Sequence, residues 1–334
     1  MIKNYWKIAI RNVIRHKGYS AINVAGLAIG IAACLLLFIV IRYENSYEKF
    51  NKNYSHIYRV VTEDNDADGV DYNPGAPYPA VALLRTQLPD VKVAGLNAHF
   101  ESQFTVIGKM EAGTNIEKRF IEESGVWFAE PEYFQIFDLK WLDGSADVLK
   151  QPNMTVLNKS TAEKYFGKWQ DAMGQMLRLD NQYVLKVAGI FEDQPLNTDI
   201  PLTVLSSYST LPTIKDYGWS SGWGNLSSNN QLMLLRPDNI SEAQLQEQLN
   251  SISKQHYGGD NTDSKRRAVL QPLSTLHHND RMGGNFGDHV ISEGSLLTLS
   301  LIGLLIIIMA SINFVNLSTA QAIGRSREVG VRKV

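Results

Sequence analysis

The chain has 334 residues, a net charge of −2 and 20% charged residues, long enough for one large domain or two small ones with a real apolar core. A balance this close to neutral gives no basic surplus for holding nucleic acid. One cysteine in the whole chain excludes a disulfide-built scaffold.

The charge is unevenly distributed, and the elements in chain order show how. In residues 1–19, Ile2, Trp6, Ala9, Ile10, Val13 and Ile14 share one helical face while Lys3, Lys7, Arg11 and Arg15 lie on others. This pattern predicts a cytoplasmic interfacial amphipathic helix, with Trp6 at headgroup depth and the bases reaching for anionic lipid. From Ala21 to Ile41 no ionisable group occurs except Cys34. At the helical rise this run spans roughly 32 Å, the thickness of a bilayer's hydrocarbon core, so residues 20–42 are expected to form a first transmembrane helix. Seven apolar residues follow Cys34, where a lipoprotein cysteine would be followed by a polar tether, so Cys34 reads as packing inside the membrane. Gly26 and Gly30 form a GxxxG pair with Asn23 one turn earlier, a helix-packing face.

Residues 43–293 read as a mixed α+β extracytoplasmic domain, with room for two subdomains. Strands are expected at 55–62, 91–100, 103–110, 119–129, 177–193 as a hairpin about Asp180 and Asn181, and 230–236, with 268–276 as the last element of the set. Helices are expected at 77–90, started by Pro77, at 131–138, and at 241–257. The segment 154–167 predicts a strand, then a helix with Ser160 as N-cap, Glu163 at the capping-box spacing and Gly167 as the stop.

The second apolar block has its centre at Leu296 to Leu317, which places a second transmembrane helix over 294–317. Ser311, Asn313 and Asn316 near its end suggest a protein-facing side. Residues 318–334 extend this helix and carry Arg325, Arg327, Arg332 and Lys333 against Glu328. Residues 1–20 are +5, residues 325–334 are +3 and residues 42–293 are −10. By the positive-inside rule both termini are cytoplasmic and the large domain is outside.

A search for chemistry finds little. The sequence contains no P-loop pattern for an ATPase. His277, His278 and Asp280, with His289 nearby, read as a solvated loop rather than a metal site. Glu122 and Glu123 on one strand would face opposite sides, which fails the geometry of a catalytic carboxylate pair. Trp219 and Trp223 read as packing residues. The chain is therefore expected to be no enzyme and to need no cofactor.

The stretch "SINFVNLSTAQAIGRSREVGVRKV" resembles the end of the second span and the start of the coupling segment in the MacB/FtsX/LolC-type ABC transporter permeases, through Asn313, Asn316, Arg325, Glu328, Gly330, Arg332 and Lys333. "YENSYEKFNKNYSHIYRV", "NMTVLNKSTAEKYFG" and "VAGIFEDQP" are similar to the outer domain of the large Bacteroidetes-type members. The resemblance implies a MacB-like periplasmic core domain between two inner-membrane helices. It also implies a separate cytoplasmic ABC ATPase, whose movement is transmitted outward for export or extraction of a substrate. Arg325, Arg327, Glu328, Gly330, Arg332 and Lys333 would then be coupling residues, with Gly330 permitting a sharp turn. Implied partners are that ATPase, membrane lipid, a second permease copy or C-terminal half, and a periplasmic adaptor. Such permeases continue past this point with further spans, so the chain is expected to be the N-terminal part of a longer product. Two alternatives share the topology: a two-span receptor with an outer sensor domain, and an FtsX-like activator of cell-wall hydrolases.

Overall fold

A computed structural model describes residues 17–107, 118–215, 219–257, 266–283, 286–287 and 289–331, with the backbone alone at 19–20, 317 and 320–331. The expected amphipathic helix over 1–19 therefore lies almost wholly outside the described residues. The chain divides into a helical unit, residues 1–45 with 292–334, and an outer unit, Ser46–Ile291.

The helical unit contains α1 (Lys17–Glu44) and α7 (Glu293–Val331). Each holds a 24-residue stretch apolar enough to cross a membrane, Ala21–Glu44 and Glu293–Asn316. Their contacts pair Gly26 with Asn313, Gly30 with Ala310, and Cys34 with Gly303. The rise of one number as the other falls makes the two helices antiparallel neighbours.

In the outer unit thirteen described strands form one sheet. They are β1 (Ile57–Asp66), β2 (Gly69–Asn73), β3 (Lys92–His99), β4 (Ser102–Ile107), β5 (Lys118–Glu122), β6 (Val126–Ala129), β7 (Trp141–Asp143), β8 (Met154–Asn158), β9 (Met176–Leu179), β10 (Tyr183–Phe191), β11 (Val204–Ser207), β12 (Asn230–Leu235) and β13 (Arg267–Pro272). The spatial order is β13-β1-β12-β3-β6-β11-β8-β10-β9-β4-β5, with β2 on β1 and β7 on β10. Pairing is antiparallel except for β6 with β11 and β8 with β10. Both faces are covered, so β3, β12 and the first seven residues of β1 are buried almost without a break, polar residues included.

The period-two alternation of strands sorts side chains between those faces. Tyr58, Val60, Leu232 and Leu234 pack with residues of α2 (Tyr78–Gln87) and α5 (Glu242–His256). Ile57, Met233, Leu96 and Trp127 face the other way, into a core shared with α3 (Glu132–Phe137) and α6 (Leu273–Leu276). A third core lies under α4 (Lys159–Phe166), around Phe104, Phe128 and Leu157.

Three local expectations are corrected. The single strand expected over 119–129 is two strands, β5 and β6, because Gly125 turns the chain at φ +80° and its carbonyl accepts from Thr203 N–H at 2.7 Å. A side chain at Gly125 would also meet Thr203 at 2.9 Å. The N-cap of α4 is Asn158, whose Oδ1 accepts from Thr161 N–H at 2.9 Å. Ser160 lies inside that helix and donates from Oγ to Asp193 at 2.8 Å. Strands β2, β7 and β11 carried too little alternation to be expected at all. By contrast the hairpin at Asp180 and Asn181, both at positive φ, and the capping box of Ser241 with Gln244 follow from turn and cap chemistry.

The cap assignment predicts that Asn158→Ala lowers stability by about 1 kcal/mol, the usual worth of an N-cap. Ser160→Ala should cost less, since its bond is solvent-exposed; thermal denaturation of the two variants side by side checks the order.

Candidate functional site

The segment Ser46–Asn51 begins the outer unit, directly after α1. Its backbone bends at Glu48, which holds φ +58°, a left-handed conformation that a glutamate adopts only when its surroundings fix it. What fixes it is a set of bonds to the loop 197–199. Glu48 N–H donates to Asn197 O at 3.1 Å. Asn197 Nδ2 donates back to Ser46 O at 2.8 Å and to Ser46 Oγ at 3.0 Å.

The Glu48 side chain is 1% exposed. Its Oε1 accepts from Thr198 Oγ1–H and from Asp199 N–H, both at 2.7 Å, and its Oε2 from Asn51 Nδ2 at 2.7 Å. None of these donors is a cation. Burial therefore raises the pKa of Glu48 to about 7, against the three donors, which lower it; the charge of Asp199 adds to the rise. Asn51 Oδ1 has no partner among the described residues.

Asp199 carries the network to the other end of the outer unit. It is 0% exposed, and its Oδ1 lies 2.9 Å from His277 Nδ1. The His277 ring stacks on Tyr47 with centroids 3.5 Å apart. His277 O accepts from Ile291 N–H at 3.2 Å, and Asp199 O from Phe286 N–H at 3.1 Å. The first and last residues of the outer unit, Ser46 and Ile291, are therefore gathered at one place. Below them on β1, Arg59 is buried with its guanidinium held by Gln271 Oε1, Gln231 Oε1 and Gly283 O. Burial lowers its pKa and the charge of Asp199 opposes this; Arg59 remains a cation at neutral pH in either case. The Tyr133 hydroxyl is buried beside Glu48 without a hydrogen-bond partner among the described residues, and its pKa is pushed well up by burial, with the charge of Glu48 adding to it.

His277 was expected in a solvated loop, and this is corrected: it is buried and bonded, while His278, Asn279 and Asp280 after it are more open. Nothing in "HHND" distinguished the two histidines, since the partners Tyr47 and Asp199 are remote in sequence. The same holds for Glu48 and Asp199, which the sequence reading did not single out; the local signal was an acid in a run of otherwise ordinary turn residues. Glu122 is buried and accepts from Lys164 Nζ and Tyr165 Oη, both at 2.7 Å, while Glu123 is exposed beyond the strand. Trp223 stacks on His256 at 4.3 Å, and Trp219 lies 6.1 Å from Tyr78.

Two arrangements invite a catalytic reading and fail it on geometry. Ser102, His99 and Asp180 are linked in order, with Ser102 Oγ 2.6 Å from His99 Nδ1 and His99 Nε2 3.2 Å from Asp180. Ser102 is 0% exposed, so no substrate reaches its hydroxyl. Residues 218–222 have the Gly-x-Ser-x-Gly spacing. Ser220 lies outside any strand-to-helix turn, and its Oγ accepts from Gly222 N–H at 3.1 Å.

Of the helix-packing residues, Asn23, Gly26, Gly30 and Asn313 fall on the α1–α7 contact. A Cβ on Gly26 would lie 3.3 Å from Asn313 Nδ2, one on Gly30 would lie 3.1 Å from Ala310 Cβ, and Asn313 Nδ2 is 3.4 Å from Asn23 Oδ1. Asn316 is exposed and stands apart from them. Arg325, Arg327, Glu328 and Gly330 lie in the last turns of α7, and Arg332 and Lys333 lie outside the described residues. The helix runs through Gly330 to Val331, so the backbone does not turn at Gly330 as expected; a single glycine costs only about 1 kcal/mol in a helix and does not by itself end one.

Residues 20–252 match the family model of the MacB-like periplasmic core domain, and the chain belongs to that family. Two apolar helices flanking such a domain fit an inner-membrane protein. No curated protein matches the chain. Among solved structures, it is similar to a domain of a protein described as a permease from Porphyromonas gingivalis, with TM-score 0.52, 18% identity, and coverage of 66% of this chain and 91% of that chain. The periplasmic region of MacB from Actinobacillus actinomycetemcomitans gives TM-score 0.45 and 16% identity, covering 67% of this chain and 91% of that chain.

The raised pKa of Glu48 fixes the sign of a pH effect. Between the ordinary value of 4.5 and about 7 the folded protein holds a proton that the unfolded chain releases. This contribution to stability is complete below 4.5 and is lost as pH rises through 7, at up to about 1.4 kcal/mol per pH unit. Melting temperatures of the parent and Glu48→Gln, compared from pH 5 to pH 8, should show the parent declining more steeply; parallel curves would mean that Glu48 does not titrate in this range.

Proposed function

We propose that the chain is a permease subunit of an ABC transporter, in which ATP hydrolysis by a separate cytoplasmic subunit moves the periplasmic unit to export or extract a substrate. Both helix ends beyond the apolar spans are cytoplasmic in this reading, because they carry the basic residues. The observation that carries it is the continuity of α7. Its 39 residues form one helix, roughly 58 Å long. A bilayer core is about 30 Å thick, so much of the helix projects beyond the membrane as a stiff extension that carries Arg325, Arg327, Glu328 and Gly330. That segment would meet acidic surface on the ATPase, with a second permease copy or C-terminal half completing the membrane part and a periplasmic adaptor as an outer partner.

The small-residue contact between α1 and α7 supports the reading from the membrane side. Close approach at Gly26 and Gly30 lets the two helices behave as one rod pair. Gly30→Leu should therefore force them apart, and disulfide cross-linking between cysteines placed on the two helices would fall several-fold.

The coupling role is tested by reversing Arg327 and Glu328 together in the full transporter. Membrane insertion should be unchanged, and stimulation of the partner ATPase should fall several-fold. Unchanged stimulation would remove these residues from the coupling contact.

A further inference from the structure

The loop that closes the base of the outer unit carries an apolar residue with no structural reason to be bare. Leu196 is 89% exposed, the most exposed large apolar side chain among the described residues of this unit. Its neighbours are fixed. Asn197 is bonded to Ser46 and Glu48, and Thr198 and Asp199 are bonded to the Glu48 carboxylate. Leu196 is therefore presented by an anchored backbone, between Asn197 and Pro195, whose own φ is fixed by its ring.

Its place along the chain is equally constrained. Asn197 binds Ser46, which is two residues beyond the end of α1 at Glu44, a reach of at most about 7 Å. The apolar run of α1 ends at Ile41 and is followed by Arg42 and Tyr43, the residue types of a membrane–water interface. Ile291, which leads into α7, is tied to the same place through His277. Val290 beside it and Phe100, which stacks on Phe286 at 5.8 Å, are also exposed. Lys49 and Lys52 are exposed on the turn that follows α1. Apolar side chains beside lysines, within a short tether of two apolar helices, are the chemistry of a surface that meets phospholipid headgroups.

We propose that the 194–197 loop is a membrane-contacting anchor, with Leu196 inserted into the outer headgroup region of the bilayer. The occupant of this surface is the phospholipid layer itself. Contact there would give the base of the outer unit a third attachment to the membrane besides its two chain connections, and one that can be lifted and reset. The inference rests on the membrane-spanning reading of α1 and α7.

The test uses the full chain in vesicles of phosphatidylethanolamine and phosphatidylglycerol. Cys34→Ser removes the only native thiol, and nitroxide labels are placed singly through Leu196→Cys, Leu36→Cys in α1 and Glu247→Cys on the exposed side of α5. Collision rates with oxygen and with a water-soluble nickel chelate are then compared. The proposal expects oxygen to be favoured at 196, in the same sense as at 36 but less strongly, with the chelate favoured at 247. A water-like ratio at 196 with a lipid-like ratio at 36 overturns the anchor and leaves the spanning helices intact. Water-like ratios at both 196 and 36 overturn the spanning reading, and the anchor with it. Protection of 196 from both reagents, or spin–spin broadening between copies, overturns the proposal in favour of a protein partner at this loop.

Discussion

A carboxylate taken out of water without a cation is among the more costly things a fold can contain, and the junction at Glu48 is built around one. Three neutral donors surround it, Asp199 adds a second acid beside it, and the buried Arg59 guanidinium is bonded elsewhere, to Gln271, Gln231 and Gly283. The strained backbone at Glu48 adds to the cost. What offsets this is closure: the same groups tie the start of the outer unit to loop 197–199, and that loop to His277 and the end of the unit. A thirteen-stranded sheet with its entry and exit at one point can be connected to two neighbouring antiparallel helices without long linkers. Both the sheet unit and the helix pair depend on that coincidence of ends.

Much of this arrangement was legible in the sequence because the deciding signals are local. The two apolar runs state their lengths directly, and the tight turn at Asp180–Asn181 and the stop at Gly167 act through neighbouring residues. Small residues at Gly26 and Gly30 marked a packing face for a similar reason: the absence of a side chain is visible without a partner. The misreadings have the opposite cause. Whether Asn158 or Ser160 caps α4 depends on where β8 ends, and β8 is fixed by its pairing with β10 and β11. The turn at Gly125 is held by Thr203, seventy-eight positions away in the sequence. The junction itself was invisible because Glu48, Asp199 and His277 come from three separate segments, and each alone looks like a polar residue in a turn.

The helical unit shows how shape can do the work that charge does elsewhere. Between α1 and α7 the polar groups are few: Asn23 and Asn313 meet at 3.4 Å, a long hydrogen bond, and the Cys34 thiol donates to Gly303 O at 3.3 Å. Close approach of backbones at Gly26 and Gly30 supplies dispersion contacts in their place. The outer unit reverses this balance, with apolar clusters over the sheet and buried polar bonds set among them, as at Glu122 with Tyr165 and Asn97 with Tyr78 as well as at the junction.

The sheet also ends in the open. Among the described residues β5 is the last strand in the order, paired on one side with β4, and its Ile121 is 65% exposed. Such an edge is a template on which another chain's strand can add. The strand answers this with brevity and charge: it is five residues long and begins with Lys118 and Arg119, both exposed. The two cations that open the strand hold water that pairing with another strand would strip away, which raises the cost of extending the sheet at this edge.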